Sequence, residues 1–356
     1  MKNRICELLG IEVPIILAPM AVISSPALVA AVSNAGGLGS LALGACSPAE
    51  AAALIDQVKA STNRPYCVNF FCHAPAQADS EREAQWLNYL APYFAQFDAA
   101  PPTTLREIYK SFVADEGMLQ VVLATRPPAV SFHFGLPPAS TIAALKKAGC
   151  VLLATATTIE EAQIIEAAGI DIIVAQGYEA GGHRGTFNPE QGDTAIGTFA
   201  LVQLIARHTA LPVVAAGGIM DGQGIAAAMA LGAGAVQMGT AFILCPESAA
   251  NPTYRQMLKS PRARTTAVTS AISGRAARGM TNRYFTEIDA ADRPAVPNYP
   301  IAYDAAKSLH AAASKRGSNE FAANWAGQGA ALIREMPAAD MVRTLLQELE
   351  AVRTSS

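Results

Sequence analysis

The chain has 356 residues, of which 51% are hydrophobic and 15% charged, and its formal net charge is −3. That length admits one large core or two smaller ones. A slightly acidic chain with no basic run leaves no electrostatic case for nucleic acid or an anionic membrane as partner.

The opening stretch, "MKNRICELLGIEVPIILAPMAVISS", only faintly mimics a signal peptide, because Glu7 and Glu12 interrupt its apolar part. The run from Ile15 to Val32 contains Pro19, Ser24, Ser25 and Pro26. It reads as a strand, a loop and a helix start, not as a membrane span. Short apolar runs bounded by turn residues then recur at 15–19, 38–44, 66–71, 129–135, 151–157, 171–177, 212–218 and 235–242. Most do not alternate, as expected of parallel strands buried on both faces. Helical patterns lie between them, several with the same start signal: Ser25 before Pro26, and Ser47 before Pro48.

Eight βα units predict a (β/α)8 TIM barrel, with a doubly wound sheet as the rival. The expected barrel spans residues 1–245. Residues 72–128 are too long for one crossover and form a helical insertion, through 81–97 and 103–124. Residues 246–324 are expected as a mostly helical substrate lobe, and 325–356 as C-terminal helices that pack back on the barrel. Six cysteines, Cys6, Cys46, Cys67, Cys72, Cys150 and Cys245, form no C-x-x-C pair. They read as buried free thiols in a reducing cytoplasm, with Cys67 and Cys72 on opposite faces of a strand.

Active sites of this fold lie at the C-terminal ends of the strands. Those ends carry Met20, Asn69, His133, Gln176, Gly217 and Gly218, and the run Gln237, Met238, Gly239 and Thr240. The loops after the seventh and eighth strands form the common phosphate site of such barrels. "AAGGI" and "QMGT" there offer backbone amides and one hydroxyl to a single phosphate. No G-x-G-x-x-G follows the first strand, which argues against a dinucleotide site. The amides of Asn69 and Gln176 suit the edge of a flat polar ring, so FMN is the candidate cofactor. A phosphosugar isomerase would place groups here too. His183 sits in "QGYEAGGHRGT", a segment with almost no packing side chains, and is the candidate general base. His133, inside "SFHFG", is aimed at the barrel mouth, His73 fits either setting, and His208 and His310 read as surface residues. No metal is expected, because no second ligand sits at metal spacing beside His183.

"LAPM", "AGGLGSL", "FHFGLP", "TATTIEEAQIIEAAGIDIIVAQGYEAGGHRGT", "PVVAAGGIMDGQGIAAAMALGAGAVQMGTAF" and "SGRAARGMTNRY" together resemble the class I nitronate monooxygenases, formerly called 2-nitropropane dioxygenases. The resemblance covers essentially the whole chain. It implies an FMN-bearing barrel with a helical lobe that oxidises alkyl nitronates, such as propionate 3-nitronate, with O2 to a carbonyl compound and nitrogen oxides. It places the catalytic base on His183 and FMN contacts on Met20, Asn69, Gln176, Gly181, Gly218 and Gln237 to Thr240. An anionic substrate needs a donor-rich wall. Tyr303 and Lys307, four apart on one helix face with Tyr299 a turn earlier, are candidates for it. An NAD(P)H:quinone or enoyl reductase on the same flavin barrel, or a flavin-binding protein without catalysis, shares the phosphate loops. A monomer or homodimer is expected.

Overall fold

The structure, a computed structural model, describes residues 3–355. Its strands in chain order are β1 (Ile15–Leu17), β2 (Gly39–Ala42), β3 (Tyr66–Phe71), β4 (Ala129–His133), β5 (Val151–Ala156), β6 (Ile172–Gln176), β7 (Gly182–His183), β8 (Val213–Ala216) and β9 (Ala235–Met238), followed by β10 (Thr266–Thr269) and β11 (Ala277–Met280). All eight apolar runs form strands of one parallel sheet, in the order β1-β9-β8-β6-β5-β4-β3-β2. The two end strands then meet. Leu17 N–H donates to the Leu38 carbonyl at 2.9 Å, and Leu38 N–H to the Ile15 carbonyl at 3.0 Å. The sheet is thereby closed into a (β/α)8 barrel.

The first three helices start at side-chain caps. α1 (Arg4–Leu9) comes first, α2 (Pro26–Asn34) is capped by the Ser25 hydroxyl, and α3 (Pro48–Ser61) carries a full capping box between Ser47 and Glu50. Such caps contribute about 1 kcal/mol each. α1 plugs one end of the barrel. Its Ile5 and Leu9 pack with Ile16, Leu38, Leu153, Ile172 and Val214 in the barrel interior. The opposite end, where the strands finish, is left for the site.

The segment between β3 and β4 divides. α4 (Ser80–Ala95) sends Trp86, Leu90 and Phe94 into a cluster with the lobe, while α5 (Glu116–Thr125) packs against α3 in the barrel's outer ring. The helix expected over 103–124 begins only at Glu116. Before it, Phe112 stacks on Phe70 at 4.5 Å between ring centroids, and Tyr109 is drawn toward the strand ends. Burying such aromatic surface outweighs local helix preference, since each ring contributes roughly 1.5–3 kcal/mol.

The ring continues through α6 (Ala139–Lys147), α7 (Ile159–Ala167), α8 (Thr198–His208) and α9 (Gly222–Ala230). The lobe holds α10 (Pro252–Leu258) and α11 (Ile301–Lys315). It also holds a three-stranded antiparallel sheet, β10-β11-β7, which the sequence did not suggest. Two of its strands have four residues, and the third is the His183 segment of a barrel loop. α12 (Ala338–Ser355) returns to lie against α9 and α2, in the eighth position of the ring. The lobe is therefore inserted between the last barrel strand and its helix. All six cysteines are free. Cys67 faces the barrel interior and Cys72 the helix side, while Cys6 and Cys46 are half-buried where full burial was expected. Among the described residues no helix is long and apolar enough to cross a membrane.

Candidate active site

A cavity of about 400 Å³ lies between the strand ends and the lobe. Every candidate catalytic, cofactor-binding and substrate-binding residue from the sequence lines it. Met20, Asn69, Gln176 and Gly181 line the barrel side, together with Gly217, Gly218 and the run Gln237 to Thr240. His133 and His183 lie between the two walls, and Tyr299, Tyr303 and Lys307 come from the lobe.

The floor beyond β8 and β9 is main chain. Gly217 and Gly218 take φ values of +124° and +72°, which side-chain-bearing residues adopt only with strain. A Cβ on Gly217 would stand 2.7 Å from the Thr198 hydroxyl. Among the described residues, the backbone N–H groups of Gly218, Gly239 and Thr240 find no acceptor within the protein. The Thr240 oxygen accepts from Gly327 N–H at 3.0 Å, which leaves its own proton free. Unpaired amides in a cradle without side chains are what a phosphate requires. The Asn69 side-chain amide donates to Ser131, at 2.8 Å to the hydroxyl and 3.3 Å to the carbonyl, and among the described residues its Oδ1 has no protein partner. These groups fit an FMN phosphate and ring edge.

The His183 segment is held rigidly. The Gln176 side chain binds its ends: Nε2 donates to the His183 carbonyl at 3.0 Å, and Oε1 accepts from Gly185 N–H at 2.7 Å and from Arg184 at 3.1 Å. One Gln176 N–H therefore remains for a cofactor. The fully buried Arg184 ties the same segment to Asp193 at 2.6 Å and to the Gly177 carbonyl at 2.7 Å. His133 Nε2 donates to the His183 carbonyl at 3.1 Å, while its Nδ1 meets the Thr155 hydroxyl at 3.1 Å. Both nitrogens are spent on the protein, so His133 presents only its ring face to the cavity. Gly185 must be glycine for this packing, because a Cβ there would come 2.9 Å from the His133 ring and 2.6 Å from Thr155. His183 itself pairs with Ala277 in the small sheet, and its Nε2 lies 2.8 Å from the Ser273 hydroxyl.

Aromatic rings enclose the His183 imidazole. Trp325, Tyr299 and Phe134 stand at centroid distances of 5.3, 5.4 and 5.7 Å, and Tyr303 at 6.1 Å. Phe134 takes φ +73°, a strained value for such a residue, and bears the Arg275 guanidinium 4.3 Å above its ring. Arg275 is buried, and among the described residues its guanidinium bonds main-chain carbonyls alone, at 3.1 Å to Thr186 and 3.3 Å to Phe187. The Lys307 ammonium hangs over the rings of Tyr109 and Tyr303, at 4.7 and 5.2 Å. The Tyr299 hydroxyl is buried and, among the described residues, finds no protein partner.

Enclosure and positive charge hold the imidazoles neutral. Burial, then His133 and Arg275, depress His183 to about 3. Burial depresses His133 to about 4, against the His183 carbonyl bond, which favours its proton. Burial and Arg275 depress His73 to about 4. Burial also lowers Arg275 to about 10 and pulls Lys307 below the usual lysine range, while it pushes Tyr109 up to about 12 and Tyr299 well above the ordinary tyrosine value.

Sequence reasoning missed Tyr109, Phe134, Trp325, Ser273 and Arg275. Tyr109 lies in the stretch expected as helix, and Trp325 and Ser273 reach the site only through the lobe's folding. His310, read as a surface residue, is half-buried and lines the cavity. His208 is exposed, and His73 is buried behind Tyr299, 4.9 Å from its ring.

The family model for nitronate monooxygenase matches residues 2–348. A nitronate monooxygenase of Pseudomonas aeruginosa is 58% identical over 98% of this chain and 99% of its own length. The crystal structure of a nitroalkane oxidase from Streptomyces ansochromogenes superimposes with a TM-score of 0.89 at 38% identity, covering 99% of each chain. FabK of Thermotoga maritima superimposes with a TM-score of 0.74 at 29% identity, over 100% of this chain and 98% of its own.

Proposed function

The chain belongs to the nitronate monooxygenase family, and from that membership we propose that it uses FMN to oxidise alkyl nitronates, propionate 3-nitronate among them, with O2 to a carbonyl compound and nitrogen oxides. One observation carries this reading. A single cavity joins unpaired amides at the ends of β8 and β9 to a neutral imidazole under an aromatic wall with a lysine at its rim.

Bound FMN supplies the electron acceptor and the reactivity toward O2. The chain's own residues do the rest. The amides of Gly218, Gly239 and Thr240, with the Thr240 hydroxyl, hold the phosphate. Met20, the Asn69 oxygen and the spare Gln176 N–H border the ring. Lys307 draws the anionic substrate in, and Tyr299 and Tyr303 offer hydroxyl donors to its nitro oxygens. The aromatic wall excludes water and so strengthens each of these contacts.

His183 takes the α-proton when the substrate arrives as a neutral nitroalkane. A depressed pKa keeps its lone pair available at neutral pH. It also makes the imidazole a weak base until the nitronate anion forms beside it. That anion compensates the new imidazolium charge across a dry contact. His133 and Gln176 hold the His183 main chain in place. A preformed nitronate needs no base and should be the better substrate. The test is oxygen uptake by FMN-loaded protein given propionate 3-nitronate. Uptake that depends on FMN is expected; none, with FMN bound, overturns the reading.

A further inference from the structure

The contact between His183 Nε2 and the Ser273 hydroxyl, at 2.8 Å, is the imidazole's only hydrogen bond among the described residues. Ser273 is fully buried in the turn between β10 and β11. Its oxygen lies 3.1 Å from the Arg275 carbonyl and 3.3 Å from the Arg275 N–H. A hydroxyl has one proton and two lone pairs to distribute. Among the described residues no other donor reaches the Arg275 carbonyl, and a buried carbonyl left unpaired is disfavoured. The Ser273 proton is thus committed to that carbonyl. Its lone pairs accept from the Arg275 N–H and from His183. The imidazole proton then sits on Nε2, and Nδ1 carries the lone pair. Among the described residues Nδ1 meets no protein partner, and it is not sealed off, so it opens onto the cavity.

We propose that Ser273 is a positioning residue that fixes His183 as the Nε2–H tautomer and makes Nδ1 the atom that takes the substrate α-proton. The proposal rests on the reading of His183 as the base. In that step the α C–H bond breaks and its electron pair passes into the nitro group, giving the nitronate. The proton forms a new N–H bond at Nδ1, and Nε2–H stays on Ser273. The polar groups facing the imidazole are Ser273 and Arg275 from the turn, His133 from β4, and Tyr299 and Tyr303 at the start of α11. His73 lies behind Tyr299. None is a carboxylate. The imidazolium is therefore held only while the nitronate is beside it, and it returns its proton readily afterwards.

The test is nitrogen-15 NMR of histidine-labelled, FMN-loaded protein near neutral pH, with His183→Asn used to assign the His183 signals. A protonated Nε2 and a bare Nδ1 are expected in the unaltered protein. In Ser273→Ala that pattern should give way to a mixture of both tautomers. Turnover of a neutral nitroalkane should then fall at least about tenfold through kcat, with nitronate turnover falling less. A proton on Nδ1 in the unaltered protein, or an Nε2–H tautomer unchanged in Ser273→Ala, overturns the proposal. The NMR pattern needs no turnover. A failure of the tautomer assignment is therefore distinct from a failure to oxidise nitronates.

Discussion

The two walls of the cavity are made of different parts of the chain. The barrel wall presents main chain: glycines with positive φ at 217 and 218, and unpaired amides beyond β8 and β9. The lobe wall presents side chains: Tyr299, Tyr303, Trp325 and Lys307, brought over the strand ends by an insertion. His183 belongs to both, because it leaves the barrel at β6 and pairs with the lobe at β11. The work is divided accordingly. On the proposed reading, main chain would recognise the flavin phosphate and the lobe would supply what is particular to the substrate.

The division is tested most severely at the shared residue. His183→Asn should lower turnover of neutral nitroalkanes by about 10²–10⁴-fold and that of nitronates far less, with FMN content unchanged. Steady-state assays on both substrate forms decide it. Equal losses would mean that His183 only organises the lobe wall.

Acid should weaken the seam between the walls. His183 is held to about 3, and His133 and His73 to about 4. Histidine in the unfolded chain titrates near 6.5, so the unfolded state binds protons first as pH falls. The stability contributed by the neutral imidazoles is complete above about pH 6.5, falls between there and about pH 3–4, and levels off below. Every tenfold difference in proton affinity between the folded and unfolded chain corresponds to roughly 1.4 kcal/mol. Calorimetry should show Tm falling over that range less steeply in His183→Asn than in the unaltered protein. Parallel curves would contradict the buried, neutral seam.

The barrel wall is tested alone by Gly218→Ala. The substituted residue must keep φ near +72° with its Cβ 3.1 Å from that of Glu179. That strain is about 1–2 kcal/mol, and its relief would move the amide off the phosphate. FMN affinity should fall roughly tenfold by fluorescence titration, with the nitronate KM of the loaded enzyme unchanged. Unaltered affinity would remove this loop from the cofactor site.

The smallest effect belongs to the lobe rim. Lys307 stands at the partly open rim of the cavity, its ammonium half-covered by Tyr109 and Tyr303, and rim charges contribute about 0.2–1 kcal/mol. Lys307→Ala should raise KM for anionic nitronates a few-fold, leave neutral nitroalkanes unaffected, and lose its effect at high salt. An unchanged nitronate KM would place the lysine outside the binding path.

The same division explains what the sequence made legible. Strand runs such as 66–71 and capped helices such as Pro48–Ser61 are local patterns, and the barrel followed from them. Gly217, Gly218 and Gly239 were legible because glycine next to a strand end states a backbone need directly. The lobe wall follows no local rule. Tyr109 sits in a stretch whose helical pattern yields to burial, and Trp325 meets His183 from far along the chain. β10 and β11 are four residues each, too short to stand out from the helices around them. Ser273 and Arg275 lie in "SGRAARGMTNRY", a stretch visible as a motif but silent about which atoms it would place beside an imidazole.

The central claim is that these two walls together make a flavin enzyme that takes electrons from nitronates. The most direct measurement is an anaerobic titration of the FMN-loaded protein, followed by its visible absorption. The account predicts rapid loss of the oxidised-flavin bands on adding propionate 3-nitronate, and no comparable change with NADH. Rapid bleaching by NADH with no response to the nitronate would contradict it.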